Sequence, residues 1–154
     1  VSQGAEFIGE LMKKILIIGV FIVIANSGAP TELVIHELHN RPLTLQQSIM
    51  ELVPDSLSTL VYAMIEVESN WDIYAHSSTG DHGLMQINKH WWSDKFDFER
   101  IYEPEYNVNA GLAILYPLLE KHGTKQALRR YNGSMRYAYV VNNKHHQLFG
   151  EYLF

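Results

Sequence analysis

Two carboxylates, Glu66 and Glu68, stand almost side by side in the stretch Val61–Asn88, VYAMIEVESNWDIYAHSSTGDHGLMQIN. Their surroundings separate them. Leu57, Leu60, Val61, Met64 and Ile65 recur at i, i+3, i+4, i+7 and i+8, one apolar face of a helix. Glu68 is the next position on that face. Glu66 lies roughly 200° of helix rotation away, beside Thr59 and Tyr62. A carboxyl at the end of an apolar face is partly desolvated. Desolvation disfavours the charged form, raises the pKa and lets the group hold a proton near neutrality. A general acid needs that property. The ordinary alternative for a glutamate ending a helix is a solvated end residue, and the residues that follow weigh against it.

Ser69, Asn70 and Trp71 come directly after Glu68. Ser77-Ser78-Thr79-Gly80 is a turn signal, and Gly83-Leu84-Met85-Gln86-Ile87-Asn88 follows. Glu68-Ser69, Ser77, Gly80 and Gly83-Leu84-Met85-Gln86, in ungapped register, resemble the signature of soluble-type lytic transglycosylases. That resemblance covers about Ser56–Val141. It implies a mainly α, lysozyme-like fold in a single domain, with at most a small β-hairpin. It implies an enzyme acting on peptidoglycan glycan strands, with no cofactor. It also implies that Glu68 is the sole acid and base. The carboxyl would protonate the glycosidic oxygen after N-acetylmuramic acid and then take a proton from that sugar's C6 hydroxyl, closing a 1,6-anhydro ring. The substrate's own N-acetyl group would support the cation, unlike the two-carboxylate scheme of most glycosidases.

Further roles follow from the same resemblance. Ser77 and Gln86 match positions that contact substrate, and Asn88 lies where the same groove is lined. Tyr131-Asn132 resembles the family's later Tyr-Asn motif, which closes the groove opposite the acid. Tyr137 resembles a tyrosine whose hydroxyl faces the catalytic glutamate. The usual Ala-Tyr-Asn-Ala-Gly is replaced by Arg130-Tyr131-Asn132-Gly133-Ser134, and the connection onward to Tyr137 is very short. Gly83 either lets backbone approach the sugar or is a plain turn glycine. Ser69 is expected to cap or orient locally. One of the adjacent Trp91 and Trp92 lines a saccharide groove, or both pack beneath the loop.

Two other readings compete. A hydrolytic muramidase on the same fold would need a second carboxylate, roughly 6.5–9.5 Å from Glu68 if inverting. Asp72, Asp81 and Asp94 are the candidates. A catalytically silent cell-wall-binding component is the third reading, and an intact Glu68 with Ser77 and Gln86 argues against it. The small size resembles enzymes that open the wall for secretion or conjugation machines, or phage enzymes, so such a machine is an expected partner.

The elements that must position these groups are mostly helical. Leu43–Val53 reads as a helix with Thr44 as N-cap, broken by Pro54-Asp55-Ser56, and Asp55 or Ser56 caps the helix that ends at Glu68. A small hairpin is possible after Ser77. Lys89–Arg100 is short helix or irregular, and Ile101–Tyr106 is a connector. Asn107–His122 is a helix capped by Asn107, with a kink or break at Pro117 and an end at Gly123. Thr124 caps the next helix, on which Ala127, Leu128 and Tyr131 share a face. Arg136–Phe154 begins as a helix and frays from Phe149.

Composition narrows the chemistry. There are 154 residues, 47% of them apolar, enough for one domain of ordinary core size. The net charge of −5 and the lack of any basic run argue against a nucleic-acid surface. The chain has no cysteine, which excludes disulfides, a thiolate nucleophile and a Cys-based zinc site. Of the eight histidines, none has metal-ligand spacing, so no metal is expected and surface histidines are the better account. Lys13-Lys14, the apolar run Ile15–Ala25 and Ala25-Asn26-Ser27 read as a signal peptide over 12–27. The run is shorter than the ~20 residues a membrane span needs, though an uncleaved anchor is the alternative. Export to the periplasm or cell wall is expected. Residues 1–11 read as a mis-called extension ahead of a start at Met12, 28–42 as a loose lead-in, and 43–154 as the lysozyme-like domain.

Overall fold

The computed structural model describes residues 43–154. The extension 1–11, the leader 12–27 and the lead-in 28–42 lie outside the described residues. The chain divides into a unit ending at Ser48 and a compact unit Ile49–Phe154. The described part of the first unit is 43–48, the start of helix α1 (Leu45–Met50). Thr44 and Gln47 close a reciprocal capping box there: Gln47 N–H donates to Thr44 Oγ1 (3.3 Å) and Thr44 N–H to Gln47 Oε1 (2.8 Å). The expected N-cap is thus present, but the helix stops at Met50 instead of running to Val53.

The second unit is mainly helical and lysozyme-like. A 3₁₀ turn, Asp55–Leu57, feeds into α2 (Ser58–Glu68). Neither Asp55 nor Ser56 caps α2. Its N-cap is Leu57, with no side-chain hydrogen bond, because the 3₁₀ turn carries the chain directly into helical geometry. The expected stripe is buried at Leu60, Val61, Met64 and Ile65, and Ala63 is buried as well. After α2 come the two-residue strands β1 (Asp81–His82) and β2 (Ile87–Asn88), an antiparallel hairpin pairing Asp81 with Asn88 and His82 with Ile87. Helix α3 (Lys89–Trp92) follows, capped by the Asn88 side chain, which accepts the His90 N–H at 3.0 Å.

Helix α4 (Pro104–Asn132) starts before the expected boundary. Pro104 sits in its first turn, where a missing N–H costs nothing, so Ile101–Tyr106 is only partly a connector. Asn107 is not its cap. It is 1% exposed and belongs to the core. The helix breaks at Gly123, as expected, and Pro117 neither kinks nor ends it in the way the sequence suggests. Gly123 takes φ 69°, ψ 165°, splitting the run into arms 104–122 and 124–132, while the exposed Pro117 stays within the first arm. Helix α5 (Met135–Phe149) packs on both α2 and α4. It ends at Gly150 in left-handed conformation. The residues beyond are not frayed, because Asn142 and His145 hold them by hydrogen bonds.

The core runs through Met64, Ile65, Leu84, Met85, Leu115, Leu128 and Val141, joining α2, the hairpin loop and both arms of α4 to α5. Two histidines depart from the surface expectation. His145 is 4% exposed. His82 is half-buried, with its Nδ1 2.7 Å from the Tyr102 hydroxyl. Among the described residues no helix is long and apolar enough to cross a membrane.

Candidate active site

Glu68 is the last residue of α2. The helix is closed by Ser69, whose N–H and hydroxyl both donate to the Ile65 carbonyl (3.0 and 3.2 Å), so Ser69 orients locally, as expected. Asn70 and Trp71 then take positive φ (49° and 64°) and reverse the chain. This reversal decides between the two glutamates. It folds the Trp71 indole back so that Nε1–H donates to Glu66 Oε1 at 3.0 Å. Lys144 of α5 stands 3.9 Å from Glu66 Oε2. Glu66 is therefore committed to packing.

Glu68 instead opens on a cleft of about 1070 Å³. One set of lining residues comes from the hairpin loop and α3: Ser77, Thr79, Asp81, Gln86, Ile87, Asn88, Trp91 and Trp92, followed by Asp94 and Lys95. Another comes from α4: Ile114, and Arg130 to Gly133 at its end. Burial pushes the Glu68 carboxyl up from 4.5 to about 7. Tyr137 pulls the other way and the nearby Asp81 charge adds to the rise. At neutral pH Glu68 is thus divided between acid and base forms.

The expected site residues divide by what their polar atoms do. Ser77, Gln86, Asn88, Tyr131 and Asn132 all line the cleft with Glu68. Ser77 is occupied within its own loop. Its Oγ accepts the N–H groups of Asp81 (3.0 Å) and Thr79 (3.2 Å) and lies 2.5 Å from Asp81 Oδ2. Asn88 is occupied too, since Nδ2 donates to Thr79 O (3.0 Å) and Asp81 Oδ1 (2.7 Å) while Oδ1 caps α3. Gln86 adopts φ 49° and donates Nε2–H to Ala75 O (3.1 Å) and Gly83 O (2.9 Å). Tyr131 donates its hydroxyl to Met85 O at 3.0 Å, pinning the end of α4 to the loop. Asn132 is exposed on the cleft wall.

Tyr137, expected among the substrate-binding residues, does not line the cleft. It is 7% exposed and stands behind Glu68, because α5 packs against α2. Its hydroxyl is buried and lies near the Glu68 carboxyl, outside ordinary hydrogen-bond geometry. Burial raises the Tyr137 pKa well above 10, and the Glu68 charge adds to it, so the phenol stays a neutral donor. Gly83 also serves a different purpose from the sugar approach. At φ 74° it faces away from the cleft lining, and a Cβ there would fall inside the Asn107 carboxamide.

Asp81, expected only as a candidate second carboxylate, has a larger place in the cleft wall. Of the three candidate second carboxylates, Asp81 and Asp94 line the cleft. Asp72 instead accepts the Tyr74 N–H in a local turn. Burial alone would raise the Asp81 carboxyl. Donors from Ser77, Thr79 and Asn88, with the His82 charge, outweigh burial and hold it below the usual carboxylate range. The cleft thus pairs one carboxyl pushed toward protonation with one held as an anion, the arrangement that separates acid from charge stabiliser in glycan-cleaving sites. Both tryptophans also line the cleft, Trp91 at 70% exposure, so neither packs beneath the loop.

Comparison with curated proteins and with solved structures gave no match. The family model for the transglycosylase SLT domain matches residues 50–147, a span that contains α2, the hairpin, α4 and nearly all of α5. With Glu68 and every cleft-lining residue inside that match, the chain belongs to the SLT transglycosylase family, whose members act on peptidoglycan and cleave its glycan.

Proposed function

We propose that this chain is a lytic transglycosylase cleaving the N-acetylmuramic acid–N-acetylglucosamine β-1,4 bond with formation of 1,6-anhydromuramoyl ends. The observation that carries the reading is Glu68, a cleft-lining carboxyl with its pKa near 7 and a buried neutral tyrosine behind it. Protonated, Glu68 gives its proton to the glycosidic oxygen as the C1–O bond breaks. As the resulting carboxylate, it accepts the proton of the muramoyl C6 hydroxyl while that oxygen bonds to C1. One group at one pKa serves both steps, with no net proton gained or lost. The C6 hydroxyl is tethered to the reacting sugar, and oriented intramolecular attack has an effective molarity of about 10⁵ M or more. In this reading Gln86 and Asn132 face the sugar, and the Ser77–Asp81–Asn88 network keeps the wall rigid.

A second reading has a specific observation in its favour. Asp81, held as an anion in the same cleft, could support a cation long enough for water to reach C1, giving a hydrolytic muramidase. Both oxygens of Asp81 already accept hydrogen bonds, which suits a fixed charge better than a nucleophile or a water-activating base. Mass spectrometry of products from purified peptidoglycan separates the two. The expected fragments are each one water lighter than lysozyme products and lack a reducing muramic end. Reducing ends as the majority species would overturn the transglycosylase reading. Export belongs to the proposal, since the substrate lies outside the cytoplasm. Gly28 is the expected N-terminus of the secreted chain, and full-length protein retained in the cytoplasm would argue against it.

A further inference from the structure

Carboxyls outnumber cations in the cleft, three to two. Glu68, Asp81 and Asp94 line it against two cations, Lys95 and Arg130, in a chain of net charge −5. The two cations are not equivalent. Lys95 holds its ammonium 5.4 Å from the Trp92 ring centroid, so that charge already has a partner. Arg130 is exposed in the last turn of α4, beside Tyr131 and Asn132. It makes no hydrogen bond or ion pair with any described residue, whereas its neighbour Arg129 reaches Gln126. An unengaged guanidinium therefore faces the cleft next to the wall that carries Asn132.

A neutral sugar has no need of such a group. A guanidinium offers donors in a planar fork that matches a carboxylate, and it stays charged at every working pH. A ligand carboxylate entering this cleft also meets repulsion from Asp81 and from ionised Glu68, which a cation on the wall offsets. We propose that Arg130 binds a carboxylate on the substituent at C3 of the muramoyl sugar, and so makes the cleft selective for muramoyl strands over neutral N-acetylglucosamine polymer. This rests on the peptidoglycan reading above. The carboxylate has two possible sources with the same chemistry: the lactyl group itself where the glycan bears no peptide, or the peptide stem where it does.

Calorimetric binding to the Glu68→Gln protein tests this without turnover. Three ligands are compared: an N-acetylglucosamine tetramer, a stem-free muramoyl tetrasaccharide and the same tetrasaccharide with peptide stems. Adding Arg130→Ala should weaken at least one muramoyl ligand about tenfold, the scale of one charge-assisted contact. The arm that weakens identifies the source of the carboxylate. Arg130→Lys should restore only part, because the charge returns without the fork. Added salt should weaken the Arg130 protein more than the Arg130→Ala protein. Unchanged muramoyl affinity in Arg130→Ala overturns the inference and leaves the peptidoglycan reading standing. Equal weakening of the neutral tetramer also overturns it, since Arg130 would then be shaping the wall and not reading charge. If the Glu68→Gln protein binds none of the three, both the inference and the peptidoglycan reading fall.

Discussion

Above a pH of about 7, Glu68 carries a charge where water solvates it poorly. The consequence for stability has a definite sign. Below pH 4.5 the folded and unfolded chains both hold the proton, and the carboxyl costs the fold nothing. As pH rises from 4.5, the unfolded chain releases its proton and the folded chain does not. Stability therefore declines, and the loss is complete once pH has passed the folded value of about 7. A shift of this size corresponds to a loss on the order of 3 kcal/mol. Glu68→Gln keeps the shape and removes the ionisation. Its melting temperature should match that of wild type at pH 4 and exceed it at pH 8. The same variant should lose roughly 10²–10⁴-fold in activity, the usual worth of a general acid. Glu66→Gln is the control. It keeps an oxygen for the Trp71 indole and should keep most activity. Equal activity losses in the two variants, or a stability gap that does not open with pH, would refute the placement of Glu68 as the buried acid.

At the start of α4 a single side chain, Asn107, clamps the hairpin loop, which Tyr131 holds from the other end of the helix. Asn107 accepts the Met85 N–H at 2.7 Å and donates Nδ2–H to His82 O (2.9 Å) and Ile101 O (2.8 Å). Gly83 is glycine because its φ of 74° is left-handed and because Asn107 fills the space a Cβ would take. Gly83→Ala combines backbone strain and a clash, and should cost about 3 kcal/mol. Asn107→Ala strands a buried N–H and two carbonyls, and should cost about as much. The double variant removes the clash but not the strain. Urea unfolding should show it less destabilised than the two losses added together, by about 1–2 kcal/mol; strict additivity would mean the two do not meet. The same pair shows where the sequence is readable. The α2 stripe was legible because a helical period is written locally, and Glu68 followed from it. Asn107 was misread as a cap because a cap and a long-range clamp use the same residue type, and its partners lie far away in sequence. Gly123 was legible as the end of the first arm, whereas the break expected at Pro117 is absent. An exposed proline removes one hydrogen bond from a helix that can tolerate it, whereas a positive φ ends the ladder outright. Asp81 sat in plain view among three aspartates, but only the hairpin register brings it to the cleft beside Asn88.

At the scale of the whole described unit, α5 is the connection between stability and chemistry. It packs on α2, places Tyr137 behind Glu68 and is itself clasped by the chain that follows it. Asn142 is 6% exposed and accepts the N–H groups of Leu153 (2.7 Å) and Phe154 (3.3 Å) through Oδ1. His145 Nδ1 lies 2.7 Å from Glu151 O, and since a carbonyl can only accept, that nitrogen carries the proton. His146 stacks on Tyr152 with the rings 4.0 Å apart and nearly parallel. None of this was visible in the sequence. A segment after a helix-ending glycine looks like a frayed end unless its backbone partners are known, and those partners are two polar residues on the preceding helix. Removing residues 151–154 would leave Asn142 and His145 with buried polar atoms and no protein partners. The loss should be about 2 kcal/mol, or roughly 10 °C in melting temperature. The chemical step should be spared, because none of the clasp's residues lines the cleft. The truncated protein, assayed well below its melting point, should therefore keep a wild-type pH profile around the Glu68 pKa. A lowered kcat together with a displaced profile would mean instead that the tail sets the position of Tyr137 against Glu68, and the clasp would then belong to the site.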